Sequence, residues 1–151
     1  MIHLRPANPD DVAAITACVH EAFQPYVARI GRPPAPMRVD YARVIAERSV
    51  FVAERAGAVV GVLVLTTTAE GFLLENVAVS PRHRGQGVGR RLLEFAEAEA
   101  RRLGHRSIYL YTHEKMSAAR ALYARIGYAE YDRRTEDGYA RIYLRKLLPA
   151  E

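Results

Sequence analysis

Residues 80–93 read SPRHRGQGVGRRLL, with Arg82, Arg84, Arg90 and Arg91 crowded around Gly85, Gly87 and Gly89. The run before it, GFLLENVAV at 71–79, is apolar enough for a strand lying centrally in a sheet. From Val88 onward the apolar period turns helical. A basic, glycine-rich turn at a strand-to-helix junction is a plain connector, a nucleic-acid contact or a cradle for a phosphate-bearing ligand. Its setting favours the cradle, because a helix start leaves backbone N–H groups unpaired and carries partial positive charge. Glycines let a ligand approach the main chain and permit positive φ, and Arg84 and Arg90 add charge-assisted contacts. The familiar phosphate motifs do not fit. G-x-x-x-x-G-K-[ST] lacks its lysine and hydroxyl, and G-x-G-x-x-G fails because Gly89 comes one residue early. What stands here is R-x-x-G-x-G, from Arg84 to Gly89.

Outward from that turn, the chain alternates strands and helices. IHLR at 2–5 reads as a short strand, and NPDD at 8–11 starts a helix with Asn8 as N-cap, Pro9 in its first turn and an apolar stripe of Val12, Ile15, Val19 and Ala22 or Phe23. The proline-rich 24–37 breaks any regular pattern, and VDYARVIAE after it predicts a second, shorter helix. Two β-rich runs meet at Ala56-Gly57 in a hairpin signal. Downstream of the turn, Val88, Leu92, Leu93, Ala96, Ala100 and Leu103 form one helical face, which Gly104 closes. SIYLY at 107–111 is a strand. Met116, Ala119, Leu122, Tyr123 and Ile126 share the face of a last helix, and Asp137-Gly138 turns a final hairpin. The order β-α-α-β-β-β-α-β-α-β-β predicts an α/β chain with a mixed, mostly antiparallel sheet flanked by helices, in one domain over 1–151.

Half the residues are hydrophobic and 26% charged, as in an ordinary globular protein. The single Cys18 excludes an internal disulfide and reads as a buried core residue. The N-terminal residues lack a leader pattern and no apolar run reaches membrane-helix length, so the expected location is the cytoplasm. The net charge of +5, carried almost wholly by arginine, favours anionic partners. The five histidines lack ligand spacing, so no metal site is expected.

The loop with its flanks, ENVAVSP before it, GRRLLEFAEAEA after it and ARALYARIGY beyond the next strand, resembles the acyl-CoA pyrophosphate loop and late helix of the GNAT superfamily of N-acetyltransferases. The element order matches along almost the whole chain. The resemblance implies a fold of that type, acetyl-CoA as co-substrate without a metal, and acetyl transfer to a primary amine by direct attack in a ternary complex. It implies cofactor contacts from Arg84, Gly85, Gln86, Gly87, Val88, Gly89 and Arg90, and from the main chain of Val77, Ala78 and Val79. It also places Tyr123 near the sulfur as proton donor to the leaving thiolate, beside the alternative of a plain core tyrosine; Tyr128, Tyr131, Tyr139 and Tyr143 are expected to pack around the sheet.

For the base, Glu75 interrupts an apolar strand, where a carboxylate is costly unless it is functional, paired to an arginine or at an exposed edge. His113 and Glu114 are weaker candidates, and a water relay is a further one. One departure stands out: Met116 occupies a position where many relatives carry asparagine. The acceptor site is expected to be bordered by 24–37 and the tail hairpin, with Tyr26, Arg29, Arg32 and Met37 as lining candidates. The acceptor itself, and a homodimer, are not readable. Two other functions fit the same residues: a non-catalytic acyl-CoA-binding or regulatory protein of this fold, and a basic nucleic-acid-binding module, the latter opposed by Glu94, Glu97 and Glu99 on the same helix.

Overall fold

Strand alternation and turn chemistry build most of the sheet. In the computed structural model, which describes residues 1–149, seven strands lie in the order β1-β2-β3-β4-β5-β7-β6. They are β1 His3–Pro6, β2 Ser49–Arg55, β3 Ala58–Thr68, β4 Gly71–Val79, β5 Ser107–His113, β6 Ala129–Glu136 and β7 Tyr139–Leu147. Every neighbouring pair is antiparallel except β4 and β5. The two hairpins turn where expected. Ala56 (φ 52°) with Gly57 (φ 81°), and Asp137 (φ 51°) with Gly138 (φ 77°), supply the paired positive φ that a two-residue turn needs.

The helices are α1 Val12–Phe23, α2 Val27–Ile30, α3 Tyr41–Glu47, α4 Val88–Arg102 and α5 Ser117–Arg125. Asn8 and Asp11 form a reciprocal capping box on a 3₁₀ turn that runs into α1. Asp40 caps α3. The 24–37 stretch is less irregular than its prolines suggest: it holds α2 between two 3₁₀ turns. Two helical stripes are narrower than their periodicity implies, because Leu103 and Leu122 lie at a helix end and edge and are exposed.

Strand β3 is apolar on every residue from Val59 to Leu65 because helices cover both of its faces. Val62 and Val64 join Ile15, Cys18 and Val19 of α1, whereas Leu63 and Leu65 join Leu92 and Ala96 of α4. On the last three strands the α1 face carries a separate cluster centred on Tyr109 and Tyr143. There Tyr109, Tyr111, Tyr131 and Tyr143 are roofed by arginines, with Arg134 3.9 Å over Tyr143, Arg145 4.3 Å over Tyr131 and Arg141 4.5 Å over Tyr111. Glu70 ties this roof to β6 through paired bonds to Arg134 and one from Tyr131, which hold its carboxyl down to about 2.

The strand that leads into the glycine loop carries a bulge. Val64 pairs with Asn76 but Leu65 pairs with Leu74, which leaves Glu75 as the extra residue. Before the bulge Phe72 and Leu74 face α4; after it Val77 and Val79 do, while Asn76 and Ala78 turn to the α1 side. One inserted residue therefore flips the face of the strand end.

Helix α4 is held in place by Gly61. A Cβ there would lie 2.9 Å from Leu92 Cδ1 and 2.9 Å from Val88 Cγ1. Gly61→Ala is expected to cost about 1–3 kcal/mol by overpacking, read from the urea midpoint. The Glu70 network sets a pH test. A carboxyl lowered from 4.5 to about 2 contributes stability that is complete above the unfolded value and is lost as pH falls through about 2. Glu70→Gln is expected to flatten the acid limb of a stability–pH curve over that interval; an unaltered limb would mean the network is inert.

Candidate active site

The glycine turn begins with a 3₁₀ turn at Pro81–His83, passes through Gly85 (φ 76°) and Gly87 (φ 84°), and enters α4 at Val88. Both glycines need their missing side chain for conformation, and no atom lies within 4 Å of where a Cβ would stand at either. Gly89 is helical, and a Cβ there would lie 3.5 Å from Val79 Cγ2, an ordinary contact distance. The first bond inside α4 runs from Arg91 N–H to Gly87 O at 3.0 Å. The N–H groups of Val88, Gly89 and Arg90 thus precede the helix ladder and are available to an anion. Arg84 donates to Ala22 O at 3.3 Å and fastens the loop to α1. Gln86 accepts from Arg55 at 2.6 Å, and Arg90 lies 3.7 Å from Glu94.

From this loop a cleft runs between β4 and β5. The two parallel strands pair only at Leu73 and Tyr109 and then separate. Ser80 N–H bonds Val60 O, and Ala78 opposes Val62 in the same register. By strand alternation the main chain of Ala78 is directed to β3, and only Val77 and Val79 turn their N–H and C=O toward the cleft. Of the three main-chain contacts expected from the sequence, Ala78 is therefore committed to the sheet and lines the cleft by its side chain. The cavity, about 370 Å³, is mainly apolar. Val79, Gly89 and Leu93 line it near the loop, with Met116, Ala119 and Tyr123 opposite. Tyr123 is buried, its ring edge-on to Tyr128, and burial pushes its hydroxyl up to about 12. Met116 ends its strand-to-helix turn at the start of α5, with its sulfur 3.7 Å from Thr112 Oγ1.

Polar groups gather at the far end. Glu75, on its bulge, lines the cleft and pairs with Arg48 Nε at 3.1 Å. Asn76 donates to Tyr41 Oη at 3.1 Å, which in turn donates to Pro36 O at 2.7 Å. Burial lowers the His113 pKa, and its Nδ1 accepts Lys115 N–H at 3.1 Å. In the neutral ring that bond leaves the proton on Nε2, and His113 is among the cleft-lining residues. Glu114 is exposed and not part of the lining.

Segment 24–37 and the tail hairpin do close this end, through partly different residues than expected. Tyr26 lines the cleft together with Ile30, Pro34, Ala35 and Pro36. Arg29 lies outside over the Tyr26 ring, and Met37 packs into the α1 core. Arg32 stacks 3.6 Å above Tyr139 and donates to Asp137 O. Tyr139 donates to Pro33 O at 2.5 Å and accepts from Arg38 at 3.4 Å. Tyr111, Tyr139 and Arg141 are lining residues that sequence reading missed. Their signal was the alternation of β5 and β7, which puts 111, 139 and 141 on one face once the register His113↔Arg141 is known. Among the described residues no cluster of metal-ligating side chains occurs.

A family model described as an acetyltransferase (GNAT) domain matches residues 46–130. An IAA acetyltransferase of Azospirillum brasilense is 38% identical over 82 residues, 53% of this chain and 54% of that protein. The chain spans about half the length, or less, of the curated relatives it matches. The PaiA N-acetyltransferase of Thermoplasma acidophilum, solved in complex with coenzyme A, superposes with a TM-score of 0.79 at 17% identity over 97% of this chain and 99% of that one. YncA of Salmonella typhimurium, solved with its cofactor acetyl-CoA, gives 0.69 at 25% identity over 99% and 95% of the two chains.

Tyr139→Phe removes the hydroxyl bonds that join β7 to Pro33 O and to Arg38. It is expected to cost about 1–2 kcal/mol by leaving Pro33 O without its donor, and to accelerate amide exchange at residues 35–38 ahead of the sheet. Uniform exchange across both regions would show that Tyr139 does not hold the segment.

Proposed function

From the premise that this chain belongs to the GNAT acetyltransferase family, we propose that it moves an acetyl group from acetyl-CoA to a primary amine by direct attack with both molecules bound. The observation that carries the reading is the open N-terminus of α4 facing a cleft whose strand edge is unpaired at Val77 and Val79. The residues fit the cofactor on their own chemistry. Two left-handed glycines with bare Cβ positions give a diphosphate a close approach to main-chain N–H groups. The mainly apolar slot suits an extended acyl-pantetheine arm, and the free edge of β4 supplies its hydrogen bonds.

Bound acetyl-CoA supplies an activated thioester carbonyl and a thiolate leaving group. In the transfer a nitrogen–carbon bond forms, the carbon–sulfur bond breaks, the amine gives up a proton and the thiolate gains one. Glu75 is the carboxylate of the cleft lining and takes the proton from the ammonium, directly or through water. The paired Arg48 keeps that carboxylate oriented on its bulge. Main-chain N–H groups of Val77 and Val79 donate to an oxygen that gains negative charge. Tyr123, protonated throughout the neutral range, is the donor for the departing sulfur. Arg82, Arg90, Arg101 and Arg102 each have a carboxylate within 4.0 Å, which argues against a continuous phosphate track for nucleic acid.

Acetyl-CoA at about a hundredfold excess over Kd is expected to stabilise the fold by roughly 2.7 kcal/mol, seen as a rise in Tm of several degrees, with ATP as the inactive control. Equal shifts with both, or none, would remove the cradle. Tyr123→Phe is expected to lower turnover on the order of a hundredfold with acetyl-CoA affinity largely kept. Glu75→Gln is expected to lower turnover and move the acidic limb of the pH–rate profile; an unmoved limb excludes Glu75 as the base.

A further inference from the structure

Resting on the acyl-transfer reading above, we propose that the amine acceptor carries a carboxylate and that Arg141 is the residue that binds it. Arg141 lines the far end of the cleft with its side chain 15% exposed. A guanidinium has five N–H donors, yet the hydrogen bond it makes is one, Nη1 to Glu136 Oε1 at 3.1 Å. None of its nitrogens belongs to the buried atoms left without a partner. The remaining N–H groups therefore reach open space. The guanidinium carbon lies 4.5 Å from the centre of the Tyr111 ring and 5.8 Å from that of Tyr139. N–H groups beyond the Glu136 bond are what a guanidinium uses to grip a carboxylate with two parallel bonds. Glu136 is 38% exposed and also accepts from Tyr143 at 2.5 Å, so it orients Arg141 without enclosing it.

Glu75, Tyr111 and Arg141 line the same cleft. The cleft thus presents an anionic and a cationic side chain, with Glu136 behind Arg141 as its ion-pair partner. An ammonium directed to Glu75 and a carboxylate directed to Arg141 reproduce that polarity. Ile30, Pro34 and Pro36 give the body of the molecule an apolar wall. The carboxylate has two chemical sources: the α-carboxylate of a free amino acid with an apolar side chain, or the side-chain carboxylate of an acidic residue at a peptide N-terminus.

The test is thiol release from acetyl-CoA by the wild-type protein, with L-leucine, L-leucinamide, isopentylamine, Asp-Leu-amide and Ala-Leu-amide as acceptors. A carboxylate-bearing acceptor is expected to exceed its carboxylate-free partner by roughly 10- to 100-fold in kcat/KM. Leucine over leucinamide assigns the α-carboxylate, and Asp-Leu-amide over Ala-Leu-amide assigns the side chain. Arg141→Gln is expected to collapse the winning ratio toward one through KM, and Arg141→Lys to restore it only in part, since an ammonium lacks the fork. Carboxylate-free acceptors matching their partners in both pairs, or a ratio that survives in Arg141→Gln, overturns the proposal. Calorimetric titration of the same acceptors into the protein with coenzyme A present reads the preference without turnover. A binding preference without thiol release overturns the acyl-transfer reading and leaves the carboxylate site standing; equal binding overturns the carboxylate site.

Discussion

Strands β4 and β5 are bonded neighbours at Leu73 and Tyr109 and nowhere beyond, and the constraint that follows shapes the rest of the molecule. Buried main-chain groups must find partners. Each strand is paired along its other side: β4 pairs with β3 from Gly71 to Val79 apart from the bulge at Glu75, and β5 pairs with β7 from Ser107 to His113. Two stiff half-sheets thus meet along a short seam and then diverge. The edge of β4 carries the unmet hydrogen-bonding capacity at Val77 and Val79, inside a slot whose walls are mostly apolar. An unpaired edge in a mainly apolar slot is chemically matched to a ligand with amide groups of its own. The bulge at Glu75 sets which side chains accompany that free edge, because it turns Val77 and Val79 toward α4 and leaves the carboxylate at the parting of the strands.

The anion site depends on the same geometry through packing. Helix α4 lies so close to β3 that Gly61 has no room for a Cβ beside Val88 and Leu92. Val88 is the first residue of the helix, so the close approach fixes the position of the N–H groups that follow. Arg84 adds a second anchor through Ala22 O of α1. The loop is exposed and space is open where a Cβ would stand at Gly85 and Gly87, yet both of its ends are tied to the core. A flexible-looking sequence is in this way held at a defined place over the mouth of the cleft.

Local chemistry was legible and non-local chemistry was not. Ala56-Gly57, Asp137-Gly138 and the Asn8 cap declare themselves within four residues, and the R-x-x-G-x-G loop within six. The bulge left a trace that alternation alone could have exposed. Apolar residues that face α4 fall at 72 and 74, then at 77 and 79, and the step of three marks the inserted residue. Leu103 and Leu122 share an apolar helical face in the sequence yet are exposed, because periodicity shows a face but not how far the packing against it extends. Segment 24–37 looked irregular because its order comes from outside it, from Tyr139 on Pro33, Arg32 on the final turn and Tyr41 on Pro36. Arg32 was consequently assigned to the lining when it is a brace. Tyr111, Tyr139 and Arg141 converge only after β5 and β7 are paired, and single-residue reading has no access to that register.

The two ends of the cleft accordingly differ in how they are built. The loop end is contiguous in sequence, a strand end, a turn and the first turn of a helix, so its geometry is set by backbone conformation and one close packing contact. The far end is drawn from α2 and its flanking turns, the β4 bulge, the end of β5 and the start of β7, and it is held together by side chains: Tyr139, Arg32, Tyr41 and the Arg141–Glu136 pair. None of these side chains belongs to residues 84–90, and the loop meets the neighbourhood of the far end through Arg84 on Ala22 O, one residue before the end of α1. Glu75 stands between the two ends, on the bulge that sets the register of the free strand edge and with its side chain in the cleft lining.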